Sequence, residues 1–494
     1  MTRFDKLSRL STTKNVLREG RDALAVGESW GPDSASRRRL LSAGASLAVS
    51  PLLLAGCGAG EVDDVMPALP PADGAPPATT VTPAPESTPG TAPVTPPVTP
   101  PGATPPDTSP DTRGPAPRYS AAAGGIGEFL TAKGWDRLLG MAAGDALIRQ
   151  MQGQLKRHAD EFAKITPTPV AYLAGSRTDH QPIGVPAMSA AQIAAAHLAE
   201  QNLSSIRAAA FDWRCHRRAE TLLVLRNMLL AWARVHEPYG NPLIDETLLN
   251  PAVAYFHIRE ALSDADRAII EPWLRKVVDR NRIWFERITA DRKAGRNNWM
   301  SHGLCNIAVS ALAIDSRTDL DWVASAARVF LGEHIEPGGE TVDFRGRDAL
   351  GYHCYSLRGL VLLAQAMNVH GVSLYDYRAS TAGNGSMATA MAFLIPYIEK
   401  TRVHLEYVNS QYPPDKTSLH INQLGKPWQF DPGLPFPYAD AYDPRWGTYA
   451  RAQARADTPT ETYLHRFPGY NPSWLFGEVT RSLSASYPEG VPYA

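Results

Sequence analysis

Apolar residues recur every three or four positions along most of the chain between residues 189 and 400. The segments 189–209, 216–236, 264–288, 300–315, 320–333, 347–368 and 384–400 carry this spacing, and stretches punctuated by Gly and Pro join them. Such spacing gives a helix an apolar stripe, which is stable only when another element covers it. Clean two-residue alternation is confined to the region near 401–412 and to the aromatic C-terminal part. The pattern predicts an all-α body of paired helices, an α/α toroid or a helical solenoid. No fixed-period self-similarity of the tetratricopeptide kind is present.

Prolines separate this body from what precedes it. Of the 42 prolines, 18 fall between Pro67 and Pro117. Residues 58–118, rich in Pro, Thr, Ala, Gly and Ser, cannot bury a core, and the expectation is a disordered, extended linker. Residues 1–57 carry a basic run (Ser36-Arg37-Arg38-Arg39), a short apolar stretch from Ala43 to Leu54 and the small-residue end Leu54-Ala55-Gly56-Cys57. That order is the order of a secretory signal. The Ser-Arg-Arg run resembles a twin-arginine signal, and Leu-Ala-Gly-Cys resembles a bacterial lipobox. The resemblance implies a lipid on Cys57 and a periplasmic location at a membrane, the outer one on the evidence of Gly58. The apolar stretch is too short to span a bilayer as an ordinary helix. The folded domain is expected over 119–494.

With 49 Lys+Arg against 50 Asp+Glu, the net charge of −1 argues against a general nucleic-acid binder. An anionic ligand must then be held by a few placed cations. Beyond Cys57 the chain has Cys215, Cys305 and Cys354. An odd number without close spacing is no disulfide framework, and neither Cys-x-x-Cys nor His-Glu-x-x-His occurs, so no metal site is expected.

Two constellations carry chemistry. In the segment 300–315, Met300, Leu304, Ile307, Ala311 and Ile314 form one apolar stripe. Asn298, His302 and Asn306 recur every four residues on the other side, without the Lys or Glu of an ordinary solvated face. Arg296-Asn297-Asn298-Trp299 heads this row, and an aromatic beside paired amides suits sugar binding. The second constellation runs from Gly338 to Tyr355. Arg345 and Tyr352 are seven residues apart, so on one continuous helix they would share a face about 10 Å apart along the axis. His353 would point about 100° away from Tyr352 on such a helix.

The run Arg345-Gly346-x-x-Ala349-Leu350-x-Tyr352-His353-x-Tyr355 resembles the helix that carries the catalytic Arg and Tyr in alginate lyases of the α/α-toroid type. Asn297-Asn298-Trp299 resembles their Asn-Asn-His segment, and the separation of the two blocks is similar. The likeness covers most of residues 190–400 in pattern. It implies an (α/α)n incomplete toroid that cleaves a uronic-acid polysaccharide by β-elimination, with no cofactor. Trp299 stands where the alginate lyases have His. An Asn-Trp pair is more similar to other toroid polyuronate lyases, including those acting on glucuronan or glycosaminoglycans.

The chemistry fits these residues. The C5 proton of a 4-linked uronate is barely acidic until the neighbouring carboxylate is neutralised. Amides and a guanidinium stabilise the negative charge as it grows, a task for Asn298 and Arg345. His302 could serve as base. Tyr352 could donate to the leaving O4, and could act as base as well if Arg345 stabilises its phenolate. Asn297, Trp299, Arg347, His353, Tyr355, Trp213 and Tyr239 are candidate substrate contacts, with Arg214 and Trp446 further possibilities. A monomer acting on an anionic polysaccharide is the expectation. Two rivals stand beside it. A glycoside hydrolase on the same scaffold would need two facing carboxyl groups, for which Glu340, Asp343 and Asp348 are available. A non-catalytic polysaccharide-binding lipoprotein would use only the aromatics.

Overall fold

The computed structural model describes residue 121 and the stretches 124–144, 146–174, 188–204, 206–290, 296–379, 384–430 and 435–449. The signal-like region with Cys57 and the whole proline-rich linker lie outside the described residues. The chain builds α1 (Ala132–Ala142), α2 (Ala146–Phe162), α3 (Ala190–Ser204), α4 (Ile206–His216), α5 (Ala219–Val235) and α6 (Leu249–Ile258). It continues with α7 (Asp264–Ala290), α8 (Asn298–Ala313), α9 (Arg317–His334), α10 (Val342–Arg347), α11 (Leu350–His370) and α12 (Met387–Phe393). Among the described residues the only β pairings are the isolated bridges Ile335–Thr341 and Leu405–Pro427. The alternation near 401–412 therefore makes no sheet.

Four helices, α4, α6, α8 and α11, pack side by side in an inner row. They run parallel. Phe211 and Arg214 of α4 meet His257 and Glu260 at the end of α6, at 5.1 Å between rings and 3.9 Å between charges. Arg259 then donates to the carbonyls of Leu312 and Ala313 at the end of α8. Ser301 of α8 faces Ser356 and Gly359 of α11, and Cys305, one turn on, lies against Leu363. Parallel neighbours need return helices, and α5, α7 and α9 supply them. Trp284 of α7 lies against Trp299 and Gly303 at the start of α8, whereas Asn281 reaches Asn306 further along, so α7 runs against α8. Parallel inner helices joined by antiparallel outer ones are the (α/α) incomplete toroid expected from the sequence.

Position in the inner row explains α8. Every residue of it except Trp299 is buried. The row of Asn298, His302 and Asn306 is thus not a presented face, as the spacing had implied, because neighbours cover the helix on all sides. Asn306 is consumed structurally: its amide donates to the carbonyl of Pro242 at 2.9 Å and to Asn281 at 3.3 Å.

The segment 347–368, expected as one helix, is broken at its start. Asp348 adopts the left-handed conformation (φ 48°, ψ 49°) and Ala349 is extended. Asp tolerates that region better than most residues. Here its carboxylate also accepts from the Asn409 amide at 2.6 Å, and its carbonyl accepts from the Tyr407 amide at 2.7 Å. Glu406 accepts from the Leu350 amide at 2.9 Å and so occupies the first turn of α11. The 404–426 segment is thereby fastened across the N-terminus of α11.

Candidate active site

The starts of α8 and α11 lie together because the two helices are parallel. Asn297 is the N-cap of α8, its side chain accepting from the Trp299 amide at 3.2 Å. Asn298 follows, 2% exposed, and its backbone N–H donates to the buried carboxyl of Asp343 on α10. Its side-chain amide nitrogen has no hydrogen-bond partner. A buried donor without a partner is rare in a folded chain, and this one lies where the starts of α8 and α11 meet. Trp299, half-buried, stacks on Trp284 with ring centroids 5.9 Å apart.

His302, one turn along α8, is fully buried, with its ring 4.3 Å from that of Tyr355. Neither ring nitrogen has a well-formed hydrogen bond, although the Tyr355 backbone lies beside the ring. Glu246 lies 3.6 Å from Nδ1, but its carboxylate is engaged by Arg358 and the Tyr355 hydroxyl. Burial pushes the imidazole down to about 3, so it is neutral at working pH and a weak base.

The break at Asp348 overturns the expected shared face of Arg345 and Tyr352. Arg345 sits on α10, its side chain 47% exposed, paired with Glu336 at 2.7 Å. Tyr352 sits on α11 and is 1% exposed. The guanidinium over its ring, at 4.0 Å, belongs to Arg347. Arg347, expected at the substrate, is buried in a two-pronged pair with Asp415, with Nε 2.6 Å from Oδ2. Burial opposes its charge, yet the bond to Asp415 and the facing Tyr352 and Tyr407 hold its pKa above the ordinary value. The Tyr352 hydroxyl is 3.3 Å from Nε2 of His420, and the His420 ring stacks on Tyr407 at 4.4 Å.

Other candidates are spent on structure. His353 donates through Nε2 to the Ala390 carbonyl at 2.9 Å and accepts at Nδ1 from the Thr341 hydroxyl at 3.0 Å; burial pushes it down to about 4. Asp343 is pushed up to about 7 by burial, and with Asp348 it is tied to backbone amides rather than to a second carboxyl group. The facing acids of a hydrolase are therefore not formed by these two. Trp213 is buried at the far end of α4, opposite the starts of α8 and α11, with Arg217 4.4 Å from its ring. Trp446 is buried against Phe436. Tyr239 precedes α6, at the same end as Asn298, and its hydroxyl donates to the Leu173 carbonyl. Sequence reasoning missed Glu246, Arg358, Asp415 and His420. Glu246, Asp415 and His420 lie in no periodic or motif-bearing stretch, so no local signal marked them, whereas Arg358 lies on α11 one turn past Tyr355 and could have been found from that spacing. Among the described residues no three His, Cys, Asp or Glu side chains gather as metal ligands.

The family model for alginate lyase matches residues 187–404, which span α3 to α12 and the start of the 404–426 segment. Over this region the chain is similar to the alginate lyase family. A curated polysaccharide lyase from Stenotrophomonas maltophilia (strain K279a) is 31% identical over 130 residues. That match covers 26% of this chain and 38% of the relative, well under half of its length. Among solved structures, an alginate lyase from Bacteroides ovatus is similar at 15% identity and a TM-score of 0.49, over 70% of this chain and 99% of that one. Alginate lyase A1-III from Sphingomonas species A1 is similar at 17% identity and a TM-score of 0.44, over 70% and 91%.

Proposed function

We propose that this alginate lyase-like protein is a polysaccharide lyase that cleaves a 4-linked uronic-acid polysaccharide, of the alginate, polymannuronate or glucuronan kind, by β-elimination. The observation that carries the proposal is the pairing of helix starts. It puts the unspent amide of Asn298 on α8 at the same end of the inner row as Tyr352 on α11, with the half-exposed Arg345 on α10 between them in sequence. Asn298 and Arg345 neutralise the uronate carboxylate. Charge then develops at the carboxylate against groups already in place. Tyr352 removes the C5 proton and delivers a proton to O4. The low pKa of His302 and its packing against the Tyr355 ring support a structural role for it, so the base is assigned to Tyr352. The phenol is 1% exposed, and side chains at its rim must shift for a sugar to reach it. A lipid anchor at Cys57 facing the periplasm is part of the same proposal.

The test is a panel of alginate, polymannuronate, polyguluronate, glucuronan and hyaluronan, followed at the ultraviolet band of the unsaturated product. At least one should give the band. Tyr352→Phe and Arg345→Ala should each nearly abolish it while the far-ultraviolet circular dichroism stays unchanged. Full activity in either variant sinks the assignment of that residue. Reducing ends released without the band would show hydrolysis, and binding without any cleavage would show a carbohydrate-binding lipoprotein.

A further inference from the structure

Resting on that assignment of Tyr352, we propose that His420 is its positioning residue, which holds the phenol hydroxyl through Nε2 and takes its proton so that the phenolate can act as base. A tyrosine that is to remove a C5 proton must first lose its own, and something beside it must receive that proton. The hydroxyl is 3.3 Å from His420 Nε2. The imidazole is fixed in place: its ring lies flat on Tyr407 (interplanar angle 3°) and edge-on to Tyr352 at 5.7 Å. It is 5% exposed, so the proton is held away from bulk water.

The charges around the pair suit a separated proton. Arg347, from α10, faces the Tyr352 ring at 4.0 Å and would face a phenolate. Asp415, from the 404–426 segment, is 3.8 Å from His420 Nε2 and would face an imidazolium. Among the described residues Tyr407 and Tyr412 are further titratable neighbours, the second under Arg347 at 4.7 Å. The whole group is pinned by the Arg347–Asp415 pair and by the Ser410 hydroxyl, which donates to Asp415 at 2.5 Å.

The proton count closes. Before turnover one proton passes from the Tyr352 oxygen to His420 Nε2, leaving phenolate and imidazolium. The phenolate removes the C5 proton as the C5 electrons form the new C4–C5 double bond and the C4–O4 bond breaks. The same proton then passes from the phenol to O4, which restores the phenolate. His420 keeps its proton throughout.

The experiment compares the wild-type chain with H420Q, whose amide can still accept from the hydroxyl but cannot be protonated, and with H420A. In H420Q, kcat at neutral pH should fall on the order of 10- to 100-fold with KM little changed, and should recover as pH rises to where Tyr352 ionises unaided. An unchanged pH profile, or an equal loss at every pH, overturns the proposal. If wild-type protein cleaves no polyuronate, the lyase assignment fails instead. The pair is then tested without substrate, by ultraviolet tyrosinate titration of each protein against the same protein carrying Y352F. A Tyr352 midpoint that H420Q does not move overturns the role of His420.

Discussion

Arg345 and Arg347 are two residues apart and do opposite work. Arg347 is buried and shares two bonds with Asp415, which has no exposure of its own. Removing the arginine would strand that carboxylate in a dry site, and breaking a buried pair in this way costs about 3–5 kcal/mol. Arg345 meets Glu336 in solvent, and such a pair contributes under about 1 kcal/mol. R347M should therefore lower the urea midpoint strongly and lose activity with it. R345A should unfold like wild type while losing product formation. Equal unfolding midpoints for R347M and wild type would show that Asp415 finds other partners. The contrast also marks what a motif conveys. The Arg345–Tyr352 spacing was legible, but which arginine reaches the tyrosine depends on the turn at Asp348. That turn is set by Tyr407 and Asn409, some 60 positions along the chain.

At the scale of elements, the crossing of α8 and α11 fixes the distance between the two halves of the site. Gly359 makes it possible. A Cβ there would lie 3.2 Å from the carbonyl carbon and oxygen of Ser301 and 3.3 Å from the amide nitrogen of His302, all backbone atoms that cannot swing aside. G359A would gain about 1 kcal/mol of helix propensity, but forcing the helices apart costs about 1–3 kcal/mol. The expected result is a lower unfolding midpoint together with a fall in kcat larger than the stability loss explains, since Tyr352 and Tyr355 move away from Asn298 and His302. A more stable, fully active G359A would show that the crossing has room for a Cβ. The helices themselves were legible, because a 3.6-residue apolar period is a local property of the chain. Burial on every side of α8 was not, because an inner helix differs from an outer one only in what surrounds it. Asn298 and Tyr352 were found through their blocks. Asp415 and His420 were not, because they reach Tyr352 from a segment that has no period and is held by long-range bonds.

Over the whole molecule, buried titratable groups set an optimum of stability near neutral pH. Burial pushes His236, His302 and His334 down to about 3, His353 to about 4 and His257 well below its ordinary value. Their neutral forms support the fold fully above the ordinary histidine pKa of about 6.5, and that support is lost as pH falls below it, because the unfolded chain then binds more protons. Burial pushes Asp245 and Asp343 up to about 7 and Glu406 up to about 8. These three act with the opposite sign. The folded chain holds their protons longer, so their contribution is present at low pH and is lost as pH rises through 7 to 8. Between about pH 4.5 and 6.5 the two sets oppose each other, five groups against three, and stability should rise with pH. Above 6.5 the histidines have finished titrating, only the carboxyl groups remain, and stability should fall. Urea midpoints measured from pH 5 to 8.5 should therefore pass through a maximum near 6.5. The variant E406Q isolates one limb of this curve. Its amide oxygen can still accept from the Leu350 amide at the start of α11, but it has no proton to lose. Its advantage over wild type should widen steadily as pH rises from 5 to about 8. A midpoint that climbs steadily to pH 8.5 in wild type, or an E406Q curve parallel to it throughout, would mean that these carboxyl groups ionise in the fold as readily as in water.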